Sequence, residues 1–488
     1  MKLYNKILAL ILVCATLLTV LVSCDSGKIE ETETEAKASE SLGTEIETEK
    51  EETPSVTKKN YDSQFYLSIH PDSNPVKYYW IEESDNDAMS QAIFDRQQKV
   101  NSYLGVDIQA TTTLTSINYV EPFKVAVKNK DGSVDAMLTH VYHGVDGFIT
   151  ENYLTDFNNI SQINLDADYW KRDVMEEISI NDHMYLGYSN FNIMYTHVIA
   201  FNKSIMEQYS DSLDESVYDM VTNYRWTLDK MIGLANMVYI DAGSDGKTKD
   251  DTFGIIGLHD IAFCGFLHSS DISLVEPSAN GAYELAVYND LNKAKTTSIV
   301  EKIGELVKSD CAWFWRSGSG NHLRFQDGKA FLVLARTYDL PDYLNYDINF
   351  GVLPYPMYDE EQKSVGYRSL QWGGYLCVPS YVNDFDMVGD TLEVLSFYSN
   401  EVNNTFYEKL LGKQVAESPI DKKMLEIVWD GICSDFCQTY YSSLIDTKIL
   451  YIVPQLTFEG SNGNISSFIA GAEKSVNKRL KVLFSKAK

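Results

Sequence analysis

Several stretches of the chain carry the residue types of a chemical site, and their spacing decides what each can do. Gly243-Ser244-Asp245-Gly246-Lys247-Thr248 offers the glycines, lysine and hydroxyl of a phosphate-cradling loop. It is two residues short of the spacing such a loop needs. The stretch from Asp241 to Thr252 offers the carboxylates of a calcium loop. However, Gly243 and Thr252 stand where carboxylate ligands are required, so a polar turn is expected there. The histidines 70, 140, 143, 183, 197, 259, 268 and 322 are scattered, and none forms a His-Glu-x-x-His pair. Ser317-Gly318-Ser319-Gly320 lacks the glycine placement of a nucleophile elbow. Carboxylates abound, but no pair is singled out by its context as an acid and base for glycoside hydrolysis. No catalytic group, metal or cofactor is therefore expected, and no enzymatic turnover.

One cysteine has a different context. Lys2 and Lys6 precede an apolar run from Ile7 to Leu21, which is short for a spanning helix. Ser23-Cys24 closes that run and resembles the lipobox of bacterial lipoproteins. The resemblance implies a signal peptide over 1–23 and lipidation of the Cys24 thiol. It implies a cell-membrane location, on the extracellular or periplasmic face. Residues 24–60 follow as an acidic tether, with glutamates interleaved among Thr, Ser and Lys and few large apolar residues. The formal net charge of -29 and the lack of a basic stripe exclude a nucleic-acid binder. The later cysteines, Cys264, Cys311, Cys377, Cys433 and Cys437, are odd in number and widely spread, so buried thiols are expected rather than a disulfide framework. Cys433 and Cys437 have the spacing of a helix face.

The elements that must position a site alternate between strand and helix. Val76–Ile81 reads as a strand, with N-cap oxygens at Ser84, Asp85 and Asn86. A helix then carries Met89, Ile93, Val100 and Leu104 at helical spacing and stops at Gly105. Val106–Ile108 opens a strand, Val120–Val127 a helix, and Val134–His140 another strand. Further strands are expected from Met194 to Asn202, Ala330 to Ala335, Phe350 to Pro354 and Gln371 to Val378. Helices are expected from Thr227, around Ile299–Leu306, and around Val388–Leu395. Such alternation implies covered, mainly parallel sheets, with ligands beyond the carboxyl ends of the strands.

Four patterns, in order, resemble the family 1 extracellular solute-binding proteins of ABC importers. They are Ala200-Phe201-Asn202-Lys203, Trp226-Thr227-Leu228-Asp229-Lys230, Phe325-Gln326-Asp327-Gly328-Lys329-Ala330, and Phe350 to Pro356 followed by Tyr358-Asp359-Glu360-Glu361. Lys230 departs from the acidic residue of the second pattern. The resemblance implies an α/β, two-lobed periplasmic-binding-protein-like fold of type II, each lobe a mainly parallel sheet flanked by helices. Lobe I would comprise 61–193 and 369–412, and lobe II 194–368 and 413–488. It also implies capture of a sugar or oligosaccharide by a monomer that partners an ABC transporter permease. The aromatic content agrees, because sugar C–H faces stack on Tyr and Trp. Glu83, Tyr142 and His143 lie at strand ends of lobe I, and Tyr195 lies on the first crossing. Arg336 and Tyr338 follow a lobe II strand, Trp372 lies at re-entry to lobe I, and Trp313 belongs to the cluster Trp313-Phe314-Trp315-Arg316. Each aromatic among them is also a candidate for core or plain surface. Two other readings stay open: a surface sensor or adhesin of the same fold that binds a non-sugar ligand, and a surface glycan hydrolase.

Overall fold

The computed structural model describes residues 53–70, 79–85, 87–111, 120–140, 145–192, 195–259, 261–277, 283–285, 290–315, 323–371, 373–407, 418–440, 451–457 and 464–487. The chain divides into Met1–Thr53 and a packed unit, Pro54–Lys488. Cys24 and most of the acidic stretch lie outside the described residues. No helix among those residues is long and apolar enough to cross a membrane.

The strands, in chain order, are β1 (Ser63–Ile69), β2 (Val106–Thr111), β3 (Ala136–Leu138), β4 (His197–Asn202), β5 (Phe253–Leu258), β6 (Val275–Pro277), β7 (Tyr283–Leu285), β8 (Ala312–Trp315), β9 (Ala330–Arg336), β10 (Phe350–Leu353), β11 (Ser369–Leu370), β12 (Leu376–Cys377) and β13 (Ile432–Cys433). They form a sheet of order β12-β3-β1-β2 and a second of order β10-β4-β9-β5-β8. In the first sheet β1 runs parallel to β2 and β3, and β12 is antiparallel to β3. In the second, β4 runs against β9 and β10, whereas β9, β5 and β8 are parallel. Each sheet thus carries one reversed strand in an otherwise parallel set.

The first strand is not the expected one. Of Val76–Ile81, the described part, Tyr79–Ile81, is a turn and irregular chain, whereas β1 comes earlier and buries Phe65, Leu67 and Ile69 on one face. The period-two alternation of β1 is the signal that identifies it. The following helix, Ala88–Leu104, buries Met89, Ile93, Val100 and Leu104 as its spacing demands, and it ends at Gly105 with φ +62°. Its cap is Asp87 rather than Ser84, Asp85 or Asn86, because the Asp87 carboxylate accepts from the Met89 and Ser90 amides at 3.0 and 3.2 Å.

This helix packs against Phe385–Asn404, whose buried Asp390 and Glu393 fasten the start of the packed unit. Glu393 accepts from Ser55, from the Tyr169 hydroxyl at 2.5 Å, from the Trp170 indole at 2.8 Å and from the Asn164 amide at 3.2 Å. Asp390 accepts from Lys59 and Tyr61, each at 2.5 Å. Buried carboxylates are tolerated when donors satisfy them in this way. Residues 54–60, expected in the tether, consequently belong to the packed unit.

The second sheet holds two strands that the sequence reading did not register, β5 and β8. Gly254 and Gly257 weaken the strand signal of β5. A Cβ on Gly254 would lie 1.8 Å from the Ala235 carbonyl oxygen, and one on Gly257 would lie 2.9 Å from the Leu334 side chain. The helix Leu228–Val238 can therefore sit directly on β5. It is capped by Thr227 as expected, with Leu228, Met231, Leu234, Ala235 and Val238 buried. The helix Asp290–Lys308 buries Ile299, Ile303 and Leu306, also as expected. Helices Pro419–Asp430 and Ile465–Lys486 were not foreseen. The five later cysteines are buried free thiols, but Cys433 lies in β13 and Cys437 in the short helix Phe436–Thr439, so they do not share a helix face.

Candidate functional site between the two sheets

Among the described residues, a polar network holds together β13 and the segments around Thr196 and Gln371, which lie between the two sheets in the chain order. Thr196 bridges Gln371 in antiparallel fashion, and β11 pairs in parallel with β13. The Thr196 hydroxyl donates to the Leu370 carbonyl at 3.0 Å, and its own carbonyl accepts from the Thr337 amide at 3.0 Å. The Gln371 side-chain oxygen accepts from the Gly373 amide at 2.7 Å, and its backbone carbonyl accepts from the Gln438 side chain at 3.2 Å. The Tyr375 hydroxyl lies 2.7 Å from that of Ser434 and 3.1 Å from that of Thr439. A Cβ on Gly374 would lie 1.8 Å from the Thr139 carbonyl oxygen, so only glycine lets this re-entry segment lie against the end of β3.

Aromatic rings line this junction. Tyr195, just before β4, is buried and meets Tyr338 edge-on at 5.3 Å and 85°. On its other side it meets Tyr79 at 6.5 Å and 75°, and Tyr79 meets Phe191 at 5.6 Å. Tyr79 precedes the helix that covers the first sheet, and Tyr338 follows β9 of the second. The three tyrosines thus form a continuous set of rings across the junction. Arg336, the last residue of β9, lies 4.3 Å from the Tyr338 ring centre. Its Nε is held at 3.1 Å by the Asp339 carboxylate, which also accepts its backbone amide at 2.9 Å. At the far end, the Arg96 guanidinium lies 4.9 Å from the Phe191 ring centre and donates to the Tyr79 carbonyl and, at 3.4 Å, to Ser399. Burial pulls Arg96 down to about 9, against a weaker opposing pull from Tyr79.

Histidines stand at the strand ends around these rings. His197 opens β4, opposite Arg336, and is buried. Burial first, then Arg336 and His268, lowers it to about 3, so the ring is neutral at ordinary pH. Its ring lies 5.8 Å from that of Tyr355, and a Cβ on Gly265 would come within 3.2 Å of His197 Nδ1. In the first sheet the chain passes from β1 to β2 on one side and to β3 on the other, so the gap beyond β1 and β3 is the topological switch point. His70 follows β1 and His140 follows β3; both are buried, with ring centres 5.8 Å apart.

Of the residues expected at a site, Tyr195, Arg336 and Tyr338 are brought together. Glu83 is exposed on the irregular segment before the helix Ala88–Leu104. Trp313 lies in β8, separated from β9 by β5, and packs on Phe253 at 5.2 Å with the Arg324 guanidinium 5.1 Å from its centre. Tyr142, His143 and Trp372 lie outside the described residues. Sequence reasoning missed Tyr79, Arg96, His70 and His197 as parts of this region. The strand-end rule would have reached His70 had β1 been placed correctly. In the Asp241 turn, Asp241 accepts from the amides of Asp245 and Gly246 at 3.3 and 3.1 Å, and Asp251 accepts from those of Thr248 and Ala242 at 2.7 and 3.1 Å. Both carboxylates are thus engaged in holding a polar turn.

No protein-family model and no curated protein matches the sequence. Solved structures do match the fold over most of the chain. The sugar-binding protein MalE from Xanthomonas citri is 11% identical, with 86% of this chain and 97% of that chain covered and a TM-score of 0.60. UgpB from Mycobacterium tuberculosis, in complex with glycerophosphocholine, is 13% identical over 86% of this chain and 98% of that chain, with a TM-score of 0.54. A family 1 extracellular solute-binding protein from Bifidobacterium longum subsp. infantis is 14% identical over 87% and 98%, with a TM-score of 0.52. The chain has their two-lobed, α/β periplasmic-binding-protein fold, with mixed sheets flanked by helices.

Proposed function

We propose that this protein captures a sugar or oligosaccharide between its two lobes and delivers it to an ABC importer. The observation that carries the reading is the partly exposed Tyr338 ring with Arg336 beside it at the junction of the two sheets, backed by the buried rings of Tyr195 and Tyr79. Aromatic faces suit the C–H faces of a sugar ring, and Arg and Asp side chains suit its hydroxyls. The likeness to the Xanthomonas MalE protein, described as sugar-binding, supports the same ligand class.

The mechanism is a population shift. A ligand that touches both lobes stabilises their closed arrangement in proportion to its differential affinity for it. The crossings between the lobes, two or three in number, are the hinge, and the network around Gln371, Tyr375 and Ser434 keeps their register during the motion. Lobe I takes 61–193 and 369–412, and lobe II takes 194–368 and 413–488. Tyr142, His143, Trp372 and Glu83 are assigned to ligand contact as well, whereas Trp313 packs on Phe253 in β8. The chain acts without turnover, as a monomer held on the outer face of the cell membrane by lipid on Cys24. The transporter permease is its partner.

Calorimetric titration with maltose, maltotriose and other oligosaccharides tests the reading. Tyr338→Ala should weaken binding about tenfold or more, the equivalent of about 1.4 kcal/mol. Equal affinity in the variant and the unaltered protein would remove Tyr338 from the site.

A further inference from the structure

A second feature lies away from the junction, beside the helix Val217–Thr222. The helix is capped by Asn223, and the residue after the cap is Tyr224, with φ +58°. The amides of Arg225 and Trp226 both turn back to the Met220 carbonyl, at 2.7 and 3.0 Å. A helix end of this shape ordinarily carries glycine, and a bulky side chain there is strained. Strain of this kind points to a use for the side chain. The Tyr224 ring stacks on that of Tyr367, with centres 5.8 Å apart and planes 8° from parallel. Tyr367 is itself fixed, its hydroxyl donating to the Val221 carbonyl at 3.0 Å. Tyr224 stays 36% exposed and neighbouring Val365 47% exposed.

The stacked pair borders a hollow of about 280 Å³ whose lining includes Val365, Ile427, Lys423 and Asp430. That is just under the roughly 300 Å³ at which pockets for drug-sized ligands begin. It suits one ring rather than a chain. The lining combines apolar and aromatic faces with one ammonium and one carboxylate. It offers both a donor and an acceptor without favouring a charged ligand. Outside the lining, the Lys363 ammonium lies 5.5 Å from the Tyr224 ring centre on a long exposed side chain.

We infer that Tyr224, Tyr367, Lys423 and Asp430 form a second binding site, on the outer side of the β10 region, for a single neutral pyranose such as the end residue of a glycan. The sugar's C–H face lies against the tyrosine pair and the aliphatic wall, and its hydroxyls meet Asp430 and Lys423. The site does not require the junction to bind anything. It would hold a glycan near the protein while the junction samples free ends.

The test is saturation-transfer NMR with glucose, galactose, mannose and xylose. It compares the full chain, Tyr338→Ala, and Tyr338→Ala combined with Tyr224→Gly or with Asp430→Asn. Transfer to at least one sugar should persist in Tyr338→Ala. It should be lost on adding Tyr224→Gly and weakened at least threefold by Asp430→Asn. Glycine relieves the positive φ, so Tyr224→Gly alone should leave the melting temperature unchanged or raise it. Transfer that survives Tyr224→Gly overturns the proposal, as does the absence of transfer to all four sugars in Tyr338→Ala. A melting temperature clearly lowered by Tyr224→Gly also overturns it, because the tyrosine would then be explained by stability alone. Failure at the junction is read separately, from oligosaccharide binding by the unaltered chain.

Discussion

At the scale of single residues, the junction combines packed aromatic rings with groups whose burial fixes their charge. His197 illustrates the second kind. Its folded value, about 3, lies below the ordinary 6.5, so the unfolded chain binds a proton more readily than the folded protein between those values. Stability should be fully present above about 6.5 and fall as the pH drops toward 3, by at most about 1.4 kcal/mol per pH unit for one such ring. His268, also lowered by burial, adds a slope of the same sign. Glu177 and Asp135, raised by burial, oppose it as the pH falls through the carboxylate range. Denaturant melts at pH 7 and pH 5.5 should show the loss, and His197→Gln should make it shallower. An unchanged slope in that variant would mean that His197 is already charged or accessible in the folded state. Tyr195, Arg336 and Tyr338 were legible in the sequence because each lies next to a strand whose apolar run is plain. Tyr79 was not, because it sits among aromatic and branched residues that mimic a strand.

At the scale of elements, helices with a clear apolar period and a cap were readable, and strands interrupted by glycine were not. Ala88–Leu104 and Leu228–Val238 announce themselves through spacing and through their end residues. β5 hides because Gly254 and Gly257 serve close approach rather than strand propensity. The same fact yields an expectation. Gly254→Ala puts a methyl group within 1.8 Å of the Ala235 carbonyl oxygen, which is backbone and cannot swing aside. Forcing Leu228–Val238 off the sheet should cost about 2–3 kcal/mol or more, read as a lowered denaturation midpoint. A change under about 0.5 kcal/mol, the usual range for harmless surface substitutions, would show that the helix–strand contact is looser than described. β8 was visible only as an odd Trp-Phe-Trp-Arg cluster. Its tryptophan at 313 turned out to pack on Phe253, a contact set by sheet order and unreadable from the local sequence.

At the scale of the whole molecule, the order of motifs along the chain carried the fold further than any one motif did. The two-lobed architecture emerged from four weak patterns in the right sequence, and the solved structures agree with it at identities of only 11–14%. Near residues 196 and 371, where the resemblance implies crossings, the chain forms the antiparallel bridge Thr196–Gln371. β13, which pairs with β11, is two residues long and left no trace in the sequence pattern. The proposed lipid anchor at Cys24 belongs to this scale too. Cys24→Ser should move the protein from the membrane fraction to the soluble one and abolish labelling by a radioactive fatty acid. Retention in the membrane with no label would assign the anchoring to another segment.

The central claim is capture of a sugar at the junction. The most direct test is a thermal-shift screen of the protein against mono- and oligosaccharides, with peptides and glycerophosphocholine alongside. A ligand that binds only the folded state adds about 2.7 kcal/mol of stability at a hundredfold excess over its dissociation constant, and so raises the melting temperature. The account predicts a saturable rise with one class of sugar, reduced by Tyr338→Ala and absent with the other compounds. A rise with peptides or glycerophosphocholine and none with any sugar would contradict it, leaving the fold in place and the ligand class wrong.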